Sequence, residues 1–195
     1  MRITAVFLCL SVVAMLSGCV EGPTTTHPPD MTFANFRPLA LDVSRIEVKN
    51  NYKPPLQDPN VEHKFPVPPY AATEDLLKKQ LLAAGHENVL HIFIDDASVV
   101  REELPVTSGF WGVVTREPSE RLNAKVLLRF EMVSPRAPDI ILGHAEVIAK
   151  RSKTLLEQTS PAERDQAYFL LTEDLMDDLN DGLRSVVKNT FGKKY

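Results

Sequence analysis

The sequence predicts an α+β domain of order β-α-β-β-β-α, an antiparallel or mixed sheet of about four strands with two helices packed on one face. Three observations predict it. Residues 122–133 (LNAKVLLRFEMV) place Leu122, Ala124, Val126, Leu128, Phe130 and Met132 on one face and Asn123, Lys125, Arg129 and Glu131 on the other, the period of a strand with one buried face. Residues 168–191 repeat apolar side chains at three- and four-residue intervals, the stripe of a long amphipathic helix. A second, shorter stripe built on Leu77, Leu81 and Ala84 precedes the strands, so helices flank a strand cluster and do not alternate with it.

Residues 20–38 carry Gly22, Pro23, Pro28, Pro29, Pro38 and three consecutive threonines, a linker composition. Residues 39–48 (LALDVSRIEV) read as the first strand: Leu39, Leu41 and Val43 alternate, and Ile46 and Val48 continue on the opposite phase. A bulge near Ser44 and Arg45 would reconcile the two phases. Six prolines within residues 53–70 exclude helix and central strand and leave an extended connection. Residues 73–84 form the first helix, with Thr73 as cap, Glu74 and Asp75 at the positive dipole end and Gly85 as a left-handed stop.

Residues 89–100 (VLHIFIDDASVV) suit a central strand covered on both sides. Residues 122–133 and 140–150 follow as a hairpin or meander, with turn signals at Pro135, Pro138 and Asp139. Ser160, Pro161 and Glu163 combine a capping box with proline at the first helical position. The helix they open should run about 31 residues, or roughly 46 Å. No repeat of 20–50 residues is visible, which disfavours solenoids.

The amino end has its own logic. Arg2 precedes an apolar run from Ile3 to Leu16, too short for the roughly 30 Å hydrocarbon core and suited to an export signal. Leu16, Ser17, Gly18 and Cys19 resemble the lipobox of bacterial lipoproteins. The resemblance implies removal of residues 1–18, diacylglycerol on the Cys19 sulfur and acylation of the new amino terminus. Several acyl chains at about 0.8 kcal/mol per buried CH₂ hold firmly. Val20, in place of the aspartate that commonly retains such proteins in the inner membrane, implies the periplasmic face of the outer membrane. An ordinary secretory signal with a coincidental cysteine is the competing account. Domain organisation follows: 1–18 signal, 19–38 lipidated cysteine and linker, 39–192 one periplasmic domain.

Composition narrows function mainly by exclusion. The formal charge of −4 becomes −5 when Arg2 leaves with the signal, so no basic footprint invites nucleic acid or anionic head groups. Cleavage also leaves Cys19 as the single cysteine, since Cys9 lies in the signal; neither an internal disulfide nor Cys–His catalysis is then expected. No phosphate loop, GxSxG elbow, EF-hand or paired-histidine motif occurs, and no metal or cofactor is expected. His91 precedes Asp95 and Asp96 on one strand, but about 13 Å separates positions four apart, so strand-end solvation is the simpler reading. Asp174, Asp177, Asp178 and Asp181 share one flank of the last helix. Their repulsion suggests a site for a cation or a basic partner, against the plainer reading of a solvated face.

Residues 107–115 (TSGFWGVVT) set Phe110 and Trp111 between glycines in an inter-strand loop, where polar residues are usual. This is the best candidate for a contact with a partner or with the membrane interface; the alternative is that both rings fold back over an open sheet end. With the lipobox, residues 61–69 (VEHKFPVPP) before the first helix and residues 175–180 (LMDDLN) in the last, the chain is similar to small Gram-negative lipoproteins. These are the auxiliary lipoproteins of ABC-type and lipid-transport systems and, more distantly, the LPS-assembly lipoprotein that plugs an outer-membrane barrel. The resemblance implies a non-enzymatic accessory or scaffolding subunit of an envelope transport or assembly system. The alternatives are a carrier of a lipid or other apolar ligand between sheet and long helix, and, behind both, a hydrolase assembled from scattered acids and histidines.

Overall fold

A computed structural model describes residues 31–105 and 117–191. Strands β1 (Leu39–Leu41) and β2 (Arg45–Asn50) lead into the proline-rich crossover, which contains a 3₁₀ turn at Glu62–Lys64. There follow α1 (Pro69–Gln80), β3 (Leu81–Ala83), β4 (Val89–Glu103), β5 (Pro118–Ser134), β6 (Ala137–Leu156) and α2 (Pro161–Val186), which ends in a π-helical turn at Val187–Phe191. The main sheet has the order β2-β4-β5-β6, with β2 parallel to β4 and the remaining pairs antiparallel. The expected α+β class is what forms, a mixed four-stranded sheet, together with a small parallel pair of β1 and β3.

The alternation read in residues 122–133 is realised in β5. Leu122, Val126, Leu128 and Phe130 are fully buried, and Leu171, Leu175, Leu179 and Leu183 of α2 share the same core. Each such side chain contributes about 1.5–3 kcal/mol on leaving water. The helix start is also as read: Glu163 N–H donates to Ser160 Oγ at 3.3 Å, and Ser160 N–H donates to the Glu163 carboxylate at 2.8 Å.

Four local expectations are corrected. Residues 39–48 are not one bulged strand: β1 pairs with β3 and β2 with β4, because Leu41 and Val43 are both fully buried and the chain changes sheets between them. The first helix lies four residues earlier, with Pro69 at its first position, so Thr73 sits inside the helix and faces the Met176 sulfur at 3.8 Å. Leu81 is extended, pairing with Leu39, and ends the helix. Gly85 therefore serves close approach and not a helix stop, since a Cβ there would stand 2.6 Å from the Val43 nitrogen.

The third correction concerns β4, which is covered on one face only. Leu90, Ile92 and Ile94 are buried, whereas His91, Phe93 and Asp95 stay partly exposed on the other face. A bulge at Asp95 moves the register from Ile94↔Leu128 to Asp96↔Leu127, which returns Ala97 and Val99 to the core side. The fourth is the hairpin: Pro135 and Arg136 make the turn, and Pro138 and Asp139 belong to β6, outside the regular ladder.

Candidate functional site

The two ends of the domain differ, and α2 defines the axis between them. Its 26 residues span about 39 Å. At its start, Arg164 forks onto both oxygens of Glu120 at 2.9 Å. Beside this pair the chain leaves and re-enters: Leu104 N–H donates to Ser119 O, and Glu157 N–H donates to Glu117 O, each at 2.8 Å. Residues 106–116, including Phe110 and Trp111, are joined to the domain at this end; they lie outside the described residues.

The opposite end gathers the chain that follows the lipobox. Phe33 is buried, with Gln80 Nε2 donating to its carbonyl at 3.0 Å, and Arg184 donates to the Arg37 carbonyl at 3.1 Å. Met31 and Phe36 pack on the same core, so apolar packing starts before residue 39. Phe191 then ties this end to the β5–β6 hairpin. Its carbonyl accepts from Asp42 N–H at 3.3 Å, and its ring lies 6.0 Å from that of Phe130. Leu16, Ser17, Gly18 and Cys19 lie outside the described residues.

Both helices cover one face of the main sheet and leave the other open. Across it the register aligns Lys49, Phe93, Arg129 and Glu146 in one row, with Glu47, His91, Glu131 and His144 in the next. The Arg129 guanidinium lies 4.3 Å from the Phe93 ring centre and donates to Asp95 at 2.8 Å and to Glu131. Lys49 approaches the same ring at 5.6 Å. Burial works against the Asp95 charge, but bonds from Arg129 and Asn51 prevail and hold its carboxyl below the usual range. Asp96, which resumes the ladder after the bulge, pairs with Lys125 at 3.0 Å. Carboxylates held ionised by cations do not serve as general acids near neutrality; Asp95 and Glu131 are already paired with Arg129. A shallow depression of about 390 Å³ on this face is lined by Ser98, Val100, Asn123, Lys125, Lys150 and Ser152.

The remaining sequence candidates disperse. His91 Nδ1 stands 3.2 Å from Glu47 Oε2 without hydrogen-bond alignment, and Asp95 turns to Arg129, so the two do not converge. Among the described residues no group of three or more metal-ligating side chains converges. Asp178 is drawn to Arg151 at 2.7 Å, while Asp174, Asp177 and Asp181 are exposed along the flank of α2. Burial, then the charges of Asp174, Asp181 and Asp178, push the Asp177 carboxyl upward.

Sequence reading missed the arginine–aromatic row, because its members come from four strands. It also missed an exposed apolar stretch at Ile140, Ile141 and Leu142, for which three consecutive apolar residues in an otherwise alternating strand were the available signal.

Among solved structures the chain is similar to a minor lipoprotein from Acinetobacter baumannii, at 12% identity and a TM-score of 0.42, over 81% of this chain and 100% of that one. It is also similar to the rare lipoprotein B from Shewanella oneidensis, at 12% identity and a TM-score of 0.37, over 74% of this chain and 94% of that one. Both carry the name lipoprotein; likeness at this level assigns no family. No protein-family model and no curated protein matches the sequence.

Proposed function

We propose that the chain is a lipoprotein held at a bilayer through lipid on Cys19, and that it acts as a non-enzymatic accessory or scaffolding subunit of an envelope transport or assembly system. Its place is the periplasmic face of the outer membrane. The observation that carries this reading is the separation of the two ends. Residues 31–37, which follow Cys19, pack beside Arg184 near the close of α2. The aromatic loop departs beside Arg164 at its start. With residue 31 at one end and residues 105 and 117, which bound the segment bearing Phe110 and Trp111, at the other end of α2, whose length is about 39 Å, the domain suits a module tethered at one end that presents a contact to a partner off the bilayer. Among the described residues no helix is long and apolar enough to cross a membrane, and attachment through Cys19 requires none.

Two measurements test the reading. Cys19→Ser abolishes incorporation of labelled palmitate and releases the chain from the membrane fraction; a variant that still sediments with membranes overturns the anchor. A Phe110→Ala, Trp111→Ala double change leaves the circular dichroism spectrum unaltered and eliminates in-cell crosslinking to an envelope protein. Undiminished crosslinking removes the loop from the argument.

A further inference from the structure

We propose that the β5–β6 hairpin tip is a lipid-contacting foot: Ile140, Ile141 and Leu142 rest in the interfacial layer of the bilayer to which Cys19 tethers the chain, and so fix the orientation of the domain. The inference rests on the anchored reading above and adds a second contact to it.

The backbone takes part of this stretch out of the regular ladder: Ile140 and Leu142 have no partner on β5, and Ile141, paired with Val133, stays exposed on the outer strand. The register of β6 on β5 runs Met132↔Gly143, Val133↔Ile141 and Ser134↔Ala137. Residue 142 and residues 138–140 are therefore extra on β6 and have no partner across the ladder. The outcome is three consecutive large apolar side chains at 59%, 51% and 51% exposure, on the outer strand of the sheet. Such a stretch, left to solvent, is an aggregation hazard unless something covers it. Their neighbours are exposed Pro135 and Arg136 at the turn and Pro138 and Asp139 in β6; arginine reaches phosphate oxygens while its stem lies in apolar surroundings.

Position identifies lipid as the cover. Phe191 links the tip to the tether end: a Cβ on Gly143 would lie 3.3 Å from the Phe191 ring, and the Phe191 carbonyl holds Asp42. From Cys19 to Met31 the chain has twelve residue steps, at most about 40 Å fully extended. The tether thus emerges at the end that carries the tip and keeps it within reach of the bilayer surface. With a net charge of −5 after processing, the domain gains no general electrostatic hold on anionic lipid, so a second contact must be apolar. One lipid anchor alone leaves a globule free to tumble on its stalk. A wedge beside the anchor removes that freedom and points the start of α2, with Arg164 and Glu120, away from the membrane.

The cysteine count supplies the test. The processed chain holds Cys19 alone, blocked by lipid, so Ile141→Cys accepts one environment-sensitive fluorophore, and Leu156→Cys, where β6 pairs with Pro118 at the far end, serves as control. Both full-length chains are lipidated in cells and reconstituted into vesicles of phosphatidylethanolamine with phosphatidylglycerol. The expected result is a blue-shifted emission from position 141, quenched by lipids labelled high on the acyl chain, with neither effect at 156. Emission from 141 that matches the fluorophore in water, on protein that floats with the vesicles, overturns the foot and leaves the anchor standing. Equal quenching at both positions overturns it as well. If Cys19→Ser leaves membrane fractionation unchanged, the anchor fails; quenching at 141 in that background then still supports the foot, and its absence overturns it.

Discussion

Gly182 stands inside α2, four residues before its end at Val186, where replacement by alanine ordinarily gains about 1 kcal/mol because alanine restricts the unfolded chain and shields the helix backbone. Here the sign should reverse. A Cβ on Gly182 would stand 2.5 Å from Val147 Cγ1, while the next atoms are 3.8 and 3.9 Å away. The conflict is thus with a single methyl group, about 1 Å inside ordinary contact distance. Val147 cannot easily yield: it is 4% exposed, its branched Cβ restricts χ1, and its backbone is paired with Leu128. Overpacking of this kind costs about 1–3 kcal/mol, so the net expectation for Gly182→Ala is a loss of about 1 kcal/mol. In a chain of this length that corresponds to a fall in Tm of about 2–4 °C.

Val147→Ala alone removes two buried carbons' worth of contact and should cost about 2 kcal/mol. In that background the obstructing methyl is gone, and Gly182→Ala should become stabilising by about 0.5–1 kcal/mol. Urea unfolding followed by far-ultraviolet circular dichroism on the four chains closes the cycle, with a coupling of about 2 kcal/mol expected. A Gly182→Ala chain that is more stable than the parent would refute the claim that β6 sets the identity of this residue.

The acid side of the stability curve should report the Arg164–Glu120 fork. The hydrogen bonds from Arg164 outweigh burial and hold the Glu120 carboxyl below its ordinary 4.5; its contribution is fully present above that value and is lost as pH falls through the lower folded one. Glu120→Gln should lose about 1–2 kcal/mol at pH 7, and its deficit relative to the parent should shrink below pH 4 in a series of urea midpoints; a deficit independent of pH counts against the pair. Tyr52→Phe removes the hydroxyl that donates to fully buried Glu62 at 2.6 Å, leaving that carboxylate with the Val99 N–H at 3.2 Å. A cost of about 1–3 kcal/mol is expected, and a change under 0.5 kcal/mol in the urea midpoint analysis would show the hydroxyl to be dispensable.

What the residues disclosed in advance was whatever depends on period and caps. The alternation of Leu122 to Phe130 and the Ser160–Glu163 box act within one element, and each formed as read. Readings failed where a partner distant in sequence decided the outcome. Leu39 and Leu41 share a phase with Val43, but pairing with β3 takes β1 into another sheet. Leu81 fits the apolar stripe of a helix and a strand equally well, and the demand of β1 for a neighbour settles it. Nothing in the sequence around Gly182 points to the Val147 side chain that packs against it. The row of Lys49, Phe93, Arg129 and Glu146 is set by register across four strands, and no single segment carries a trace of it.

The same reasoning bears on how a chain with little visible chemistry acquires a function. No strand of the sheet's open face taken alone shows a site, yet register brings them together as paired charges around one ring, with the Asp95 carboxyl fixed between Arg129 and Asn51. Such a face is already satisfied and gains little from a partner, because a new contact must first displace bonds that exist. Among the described residues the longest run of uncovered apolar groups is Ile140, Ile141 and Leu142, at the end where Phe191 packs; on the broad face Val100 and Ile148 are exposed singly. By residue type, Phe110 and Trp111 belong with the run. Specific attachment is therefore expected at these two segments before the paired charges of the broad face.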